Sequence, residues 1–402
     1  MKEAYIYGGL RTPRGKGKSD GALNEVPAID LLSGLLRALP QRFPFDLGTL
    51  GDVIMGCVTP LDEQGADIAR IAALMADYPL TVPGVTLNRF CASGSEAVHL
   101  AAAKIQAGLS DAIIAGGVES MSRVPMGSDG GAWALDPVVN GALGFIPQGI
   151  SADLMATLSS FGRHLLDEYA VRSQERAIAA WHQGCFREEI LPVRDTGGQI
   201  ILDHDELPRA TTLEQLSALK PSFAGLGALG FDQIALKAFP ELETIAHVHH
   251  AGNSSGIVDG AVALLMGSPQ WGEAMGLKPR ARMVAQAVVG THPTLMLSGP
   301  VPAAVAALNR AKLSVSDMDH FEINEAFSAV VLYTIKHLQL PPEKVNPLGG
   351  AIALGHPLGA TGAVLIHTAM EALIRNQQRY ALIALCVGGG MGIATIIENL
   401  CR

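Results

Sequence analysis

Short runs of β-branched residues alternate with Ala- and Leu-rich segments through the first 120 residues, and this alternation restricts the possible fold more than any other feature. "AYIYGG" has the character of a strand, and "AIDLLSGLLRAL" places its apolar residues at helical spacing. The order then repeats, with "DVIMGCV", "GVTLNRF" and "DAIIAGGVE" as strands and "ADIARIAALMA" and "SEAVHLAAAKIQAG" as helices between them. A chain built this way predicts an α/β fold of stacked layers with a mainly parallel sheet. From Ser120 to about His250 the pattern lapses into Gly, Pro and charge, with turn-like "GSDGGAW" and "RDTGGQ". Within that stretch "ADLMATLSSFGRH" and "EYAVRSQERAIAAWHQG" predict helices. The whole stretch reads as an inserted loop domain, and the α/β pattern resumes at "DGAVALLMGS".

The chain also echoes itself. "CASGSEAVHLAAAKI…DAIIAGGVE" can be laid over "HPLGATGAVLIHTAM…YALIALCVGGG". Each copy has a reactive residue, a glycine three positions later, a helix, and a buried strand ending in small residues. The echo suggests two similar halves facing each other, in keeping with 402 residues being too many for one ordinary core.

Composition narrows the function classes. A hydrophobic content of 49% with 17% charged residues describes a well-buried globular protein, not a disordered one. A net charge of −9 argues against a general nucleic-acid or anionic-membrane surface, while leaving room for a local basic groove. Cys57, Cys91, Cys185, Cys386 and Cys401 are odd in number, scattered, and form no C-x-x-C, which predicts no disulfide framework, no zinc site and a reducing compartment. The N-terminal "MKEAYIYGGLRTPRGKGK" lacks the apolar core of a secretory signal, and the longest uncharged run, Val345 to Met370, is broken by Pro347, Pro357 and many glycines. A cytoplasmic protein without a membrane span is expected.

The residues that can carry chemistry stand at predicted element ends, where sites tend to be built. In "NRFCASGSEAV", Cys91 opens a helix, where the macrodipole favours thiolate over thiol. That is a nucleophile's setting; the alternative is a small residue packed at a tight strand–helix crossing. His356 lies in "GHPLGATG", which lacks the Gly-Lys-Ser/Thr ending of a Walker loop, and the alternative for it is a histidine satisfied within a tight turn. Cys386 follows the apolar strand "ALIAL" and precedes three glycines, whose backbone N–H groups can bind an oxyanion; its alternative is a buried small hydrophobe. "HHAGNSSGIVDGAVA" and "INEAFSA" add polar residues among small ones. His247, His249 and His250 do not predict a metal site, because only His247 and His249 share a strand face and no further ligand follows at metal spacing.

Taken together these segments resemble the thiolase family, the acetyl-CoA C-acyltransferases, over essentially the whole chain from "RTPRGK" to "CVGGGMG". The resemblance implies two stacked βαβαβαββ halves with an inserted loop domain: residues 1–120 with 250–275, an insertion at 121–249, and a second half at 276–402. By position it implies Cys91 as the acyl-carrying nucleophile, His356 as its base, Cys386 as a second acid/base, and Asn324 as the holder of a water in one oxyanion hole. The backbone N–H groups of Cys91 and Gly388 form the other. It makes Ser255 and Ala251 the pantetheine contacts, and has Phe327 and Met296 line the pantetheine and acyl channel. Arg209 becomes a candidate for the nucleotide end, a solvated surface arginine being the alternative.

The implied reaction is ping-pong cleavage of 3-oxoacyl-CoA by CoA through a cysteine thioester, as in fatty-acid β-oxidation. Coenzyme A is the cosubstrate, no cofactor is permanently bound, and the assembly is a homodimer or homotetramer. Biosynthetic acetoacetyl-CoA thiolases carry a His-Met pair where this chain has Pro147-Gln148, and the piece from Ala224 to Val248 is longer than theirs. Both departures favour a degradative enzyme for a longer or bulkier acyl chain over one that condenses two acetyl-CoA to acetoacetyl-CoA. A catalytically silent acyl-CoA-binding protein of this fold would lack Cys91, His356 or Cys386, and all three are present. A Cys-His hydrolase, with water in place of CoA, is the remaining alternative; the histidine cluster is assigned a structural or CoA-side role.

Overall fold

The alternation at the start of the chain becomes β1 (Tyr5–Arg11), α1 (Ala28–Arg42), β2 (Asp52–Gly56), α2 (Ile68–Met75), β3 (Gly84–Leu87), α3 (Ser93–Gln106) and β4 (Ala112–Ser120) in the computed structural model, which describes residues 2–402. The spacing of Leu31, Leu32, Leu35, Leu36 and Leu39 puts all five on the buried face of α1, each contributing roughly 1.5–3 kcal/mol of apolar burial. The middle of the chain supplies α4 (Gln148–Ser159) and α5 (Arg163–His182). The expected helix across "ADLMATLSSFGRH" is in fact divided, because Ser160 adopts a left-handed conformation (φ +58°) that ends α4. The remainder is β5 (Val258–Gly267), β6 (Ala281–Gly290), α6 (Pro300–Ala311), β7 (His320–Ile323), α7 (Ser328–Leu338), α8 (Leu358–Arg375), β8 (Tyr380–Val387) and β9 (Met391–Asn399).

The sheet is mixed, which corrects the expectation of a mainly parallel one. Its order is β7-β8-β9-β6-β1-β5-β4-β2-β3. β2 runs parallel to β3 and β4, and β7 to β8. β5 is antiparallel to both β1 and β4, and β9 to both β8 and β6. Parallel neighbours require a crossover element, and the β2–β4 region has one after each strand. β9 instead follows β8 through the turn at Gly388–Gly390, where Gly389 and Gly390 have positive φ, so it returns as a hairpin strand. β5 arrives from the long middle segment and is free to enter in the opposite sense.

Among the described residues the two groups of strands pair only through a short β1–β6 ladder at Tyr5 and Ile6. Between them lie α3 and α8, in a core that joins Val98, Ala102, Ile113 and Leu264 to Val364, Met370, Ile383 and Ile393. α1 and α2 cover the outer face of the first group, and α6 and α7 that of the second. The echo between "CASGSEAV" and "HPLGATGAV" therefore corresponds to two central helices packed against each other, each followed by a strand.

The middle segment is tied down by a buried ion cluster. Arg11 donates to Glu189 (3.1 Å) and in bidentate fashion to Asp205 (2.8 and 3.0 Å), with all three side chains fully buried. Burial acts against the Arg11 charge, but the two carboxylates overcome it and hold its pKa above the ordinary arginine value. Asp205 also accepts from the Arg14 backbone N–H (2.8 Å), and Arg14 donates on to the Gly355 carbonyl (3.4 Å), one residue before His356.

Candidate active site

The turn that presents Cys91 is strained and locally braced. Phe90 stands at φ +46°, a conformation costing a non-glycine residue about 1–3 kcal/mol. Its N–H donates to Asn88 Oδ1 (2.7 Å), and its carbonyl accepts from Ser93 Oγ (2.6 Å), which in turn accepts from the Arg89 N–H (2.9 Å). α3 then starts at Ser93, so Cys91 sits just ahead of a helix N-terminus as expected. The first turns of α3 and α8 cross in contact. A Cβ on Gly94 would lie 2.9 Å from the carbonyls of Gly359 and Ala360, and one on Gly362 only 2.3 Å from Ser95 Oγ. Cys91 and Leu358, two residues beyond His356, fall in one small apolar cluster with Val58 and Met121.

His356 is held in a defined tautomer. Its backbone N–H donates to the Gly256 carbonyl (2.9 Å), and its Nδ1 lies 2.5 Å from Thr361 Oγ1. The Thr361 hydroxyl proton is committed to the Pro357 carbonyl (2.8 Å), so Thr361 accepts from Nδ1–H and the lone pair stays on Nε2. Asn324 Nδ2 donates toward that nitrogen at 3.4 Å, while Asn324 Oδ1 is buried without a partner among the described residues. Burial, with the Arg14 charge second, pushes the His356 pKa down to about 3, so the imidazole is neutral and basic in form at working pH.

Both thiols are nearly inaccessible, Cys91 at 5% and Cys386 at 1% exposure. Burial pushes the Cys91 thiol up, opposed by hydrogen bonds from the Gln148 side chain and the Gly388 backbone N–H. The standing thiolate expected from the helix start is thereby corrected: burial holds the pKa above the ordinary thiol value, and the resting group is a thiol that needs a base. Cys386, at the end of β8, is pushed well up by burial, with the neighbouring Cys91 adding to the shift. Gly388 lies against Phe90, 3.1 Å from where a Cβ would stand to the Phe90 ring. The site thus gathers a thiol, a neutral base, a second thiol and an aimed N–H.

The loops bearing the other predicted residues are stitched together. The Ser255 N–H donates to the Ala326 carbonyl (2.9 Å), the Ser328 N–H to the Asn253 carbonyl (3.0 Å), and Ser254 bridges to Phe327. Ser255 is half-buried and Ala251 exposed. Phe327 and Met296 share an apolar cluster with Cys386. Arg209 is exposed, its guanidinium only 3.4 Å from the Leu207 carbonyl, and Leu207 packs on Gly256 of the same loop region.

Three supporting residues were not singled out from the sequence. Glu119, buried at the end of β4, accepts from the N–H groups of Val58 (2.8 Å), Thr59 (3.0 Å) and Gly359 (2.8 Å), pinning the start of α8 to β2. Glu325 accepts from Tyr169 (2.7 Å), Ser173 (2.6 Å) and the Ile352 N–H (3.1 Å), fixing the loop after Asn324. Thr361 orients His356; Gln148, noted in the sequence only as part of the departure from the His-Met pair, reaches Cys91. The signal for Glu119 was a lone carboxylate closing an otherwise apolar strand; for Thr361, a hydroxyl five residues after the histidine on a helix start. The three clustered histidines each bind carboxylate: His247 to Asp153 and Asp232, His249 to Asp153, and His250 to Asp167.

Residues 4–230 match the thiolase N-terminal domain and residues 277–399 the thiolase C-terminal domain. The chain is 42% identical to the 3-oxoadipyl-CoA/3-oxo-5,6-dehydrosuberyl-CoA thiolase of Escherichia coli (strain K12) over 423 residues, covering all of both proteins. It is 41% identical to the 3-ketoacyl-CoA thiolase of Salmonella typhimurium over 410 residues, again covering all of both. In three dimensions it resembles the crystal structure of the Bacillus anthracis acetyl-CoA acetyltransferase with a TM-score of 0.86 at 33% identity, covering 100% of this chain and 99% of that one.

Proposed function

The chain belongs to the thiolase family, and from that premise we propose that it works in the degradative direction, cleaving 3-oxoacyl-CoA with CoA to acetyl-CoA and a shortened acyl-CoA. What supports the mechanism is that Cys91 neighbours Cys386 and shares an apolar cluster with Leu358, two residues beyond His356, where the first turns of α3 and α8 cross. The resting pair is a thiol and a neutral imidazole. His356 Nε2 takes the Cys91 proton as sulfur attacks the 3-keto carbon. The Cα–Cβ bond breaks, the acyl group stays on Cys91 as a thioester, and the departing acetyl-CoA enolate takes a proton from Cys386. A second CoA then gives its thiol proton to the Cys386 thiolate and takes the acyl group, and the departing Cys91 sulfur recovers its proton from His356. Splitting the reaction in this way replaces one difficult step by two easier ones.

The donors suited to the developing oxyanions are the N–H groups of Cys91 and Gly388 on one side, and His356 with an Asn324-held water on the other. The unpartnered Asn324 Oδ1 supports the latter, and the loss of one such donor costs about 3 kcal/mol in comparable sites. Ser255, Ala251, Met296 and Phe327 form the pantetheine and acyl channel in this reading, with Arg209 toward the nucleotide. Coenzyme A is cosubstrate and no cofactor is permanently bound. The division into 1–120 with 250–275, 121–249 and 276–402, a homodimeric or homotetrameric assembly and a cytoplasmic location complete the proposal. Among the described residues no helix is long and apolar enough to cross a membrane.

Intact mass analysis after mixing with a 3-oxoacyl-CoA in the absence of CoA tests the scheme. The acyl adduct is expected on the native protein and absent from Cys91→Ala. Persistence of the adduct in that variant removes Cys91 from its role, and release of the acyl group by water alone makes the protein a hydrolase. The likeness to an acetyl-CoA acetyltransferase favours a second reading, condensation of two acetyl-CoA; turnover of acetyl-CoA alone, measured with product removal, separates the two.

A further inference from the structure

Of the three clustered histidines, only His249 has a ring nitrogen with no hydrogen-bond partner among the described residues. His247 is held at both ring nitrogens, Nδ1 by Asp153 (2.8 Å) and Nε2 by Asp232 (3.0 Å). His250 is likewise filled, with Nε2 on Asp167 (2.9 Å) and Nδ1 accepting the Gly252 N–H (2.9 Å). His249 is fully buried, its Nδ1 is 2.7 Å from Asp153 Oδ1, and its Nε2 has no partner. Asp153 Oδ1 also accepts the N–H groups of Val248 (3.1 Å) and His249 (3.0 Å). This carboxylate is an acceptor surrounded by donors, so His249 Nδ1 carries the proton and the ring is locked in place with Nε2 outward from Asp153.

Buried polar atoms in folded proteins are nearly always paired, so a locked ring with one bare nitrogen is built to receive something. Its surroundings say what. The His249 ring meets Phe327 edge-on with centroids 5.4 Å apart, and Phe327 shares an apolar cluster with Met296 and Cys386. Asp153 rides on α4, whose first residue, Gln148, reaches Cys91. Five residues along a helix is roughly 7.5 Å, so Asp153, the anchor of His249, stands about that far along α4 from the residue that reaches Cys91. The nitrogen is therefore suited to a group on the tail of the acyl chain, not to the reacting keto carbon.

We infer that His249 is a specificity-determining residue that hydrogen-bonds an oxygen-bearing group, a hydroxyl or a carboxylate, on the tail of the substrate's acyl chain. The inference rests on the thiolase reading and deepens it. A neutral His249 accepts from a hydroxyl; a protonated one donates to a carboxylate. Asp153 is the charged group that touches it, His247 and Asp232 lie on the far side of that carboxylate, and the ring packs on Phe327, which in turn meets Phe223. A plain hydrocarbon tail would leave Nε2 bare, and sites built around a hydrogen bond reject analogues that lack it far more strongly than apolar pockets reject a missing methylene.

The test is kcat/KM for thiolysis of three 3-oxoacyl-CoA esters of one chain length, ending in methyl, hydroxyl or carboxylate, by the native protein and by His249→Leu and His249→Asn. The native protein should prefer one of the oxygenated tails by at least about tenfold, toward the order of 10². Which tail wins identifies the group. In His249→Leu the ratio of oxygenated to methyl tail should collapse toward one, and His249→Asn should retain part of it. A native preference for the methyl tail, or a ratio unchanged in His249→Leu, overturns the inference. So does an equal rise in KM for every ester and for CoA, which would mark a cosubstrate contact. Acyl-enzyme formation on native Cys91 from acetoacetyl-CoA, which has no tail to read, reports separately on the thiolase reading.

Discussion

Replacing Thr361 with valine isolates the step that makes His356 a base. Thr361 is buried at 1% exposure, and valine matches its shape while removing the hydroxyl. Two hydrogen bonds disappear, but their consequences differ. The Pro357 carbonyl keeps the N–H groups of Ala360 (3.0 Å) and Thr361 (2.9 Å), so it remains satisfied. His356 Nδ1–H loses its acceptor at 2.5 Å and is left as an orphaned buried donor. Such a group costs about 1–3 kcal/mol, and the ring can escape by moving its proton to Nε2, where it faces the Asn324 amide and can no longer take the Cys91 proton. The imidazolium formed during attack also loses its acceptor. The same 1–3 kcal/mol then falls on the barrier, slowing thiolysis by about 5- to 150-fold. Steady-state kcat and the pH profile of Cys91 alkylation by iodoacetamide should shift together, and Thr361→Ser should restore both. A Thr361→Val protein with native kcat and an unchanged alkylation profile refutes the tautomer argument, whether or not its Tm falls.

Cys386→Ser should still accept an acyl group on Cys91 while losing exchange of acetyl-CoA α-protons with deuterated water, because only the proton-shuttling thiol is altered; normal exchange by NMR would overturn the division of labour. Asp205→Ala leaves Arg11 buried beside Glu189 alone and should lower unfolding free energy by about 3–5 kcal/mol in urea titrations, a loss under 1 kcal/mol contradicting the role given to the ion cluster. The His356 pKa of about 3 lies below its unfolded value, so between roughly pH 6.5 and pH 3 the unfolded chain binds more protons and stability falls as pH falls. The slope from this one group is at most about 1.4 kcal/mol per pH unit, and His356→Asn should flatten the acid limb of a stability–pH curve by that much, an unflattened limb contradicting the assignment.

The elements visible in the sequence were those whose periodicity is local. The leucines of α1 and the apolar strand before Cys386 announce a helix and a strand without reference to anything distant. The sheet's polarity was not visible, because whether β5 runs with or against β4 depends on how 137 intervening residues return the chain, Met121 to Ile257, and not on the strand's own residues. Cys91 and His356 were legible through the small residues that surround each of them in the sequence. Thr361 and Glu119 were not, since a hydroxyl on a helix and a carboxylate ending a strand acquire meaning only once His356 and Gly359 are brought to them. The state of Cys91 was misjudged for a related reason. A helix start can be read from sequence, but the depth at which it is buried cannot, and here depth decides the charge.

The site draws Cys91 from one group of strands and helices and His356 and Cys386 from the other, and the two are held in register by backbone contacts at Gly94, Gly359 and Gly362. Reactivity is therefore a property of assembly. A nascent chain emerging with only its first half folded carries a thiol with no base to activate it, and is chemically quiet toward the electrophiles around it. During refolding, the return of thiolysis should trail the return of helical circular dichroism and coincide with the docking of the two halves, making the reaction itself a clock for the last event in folding.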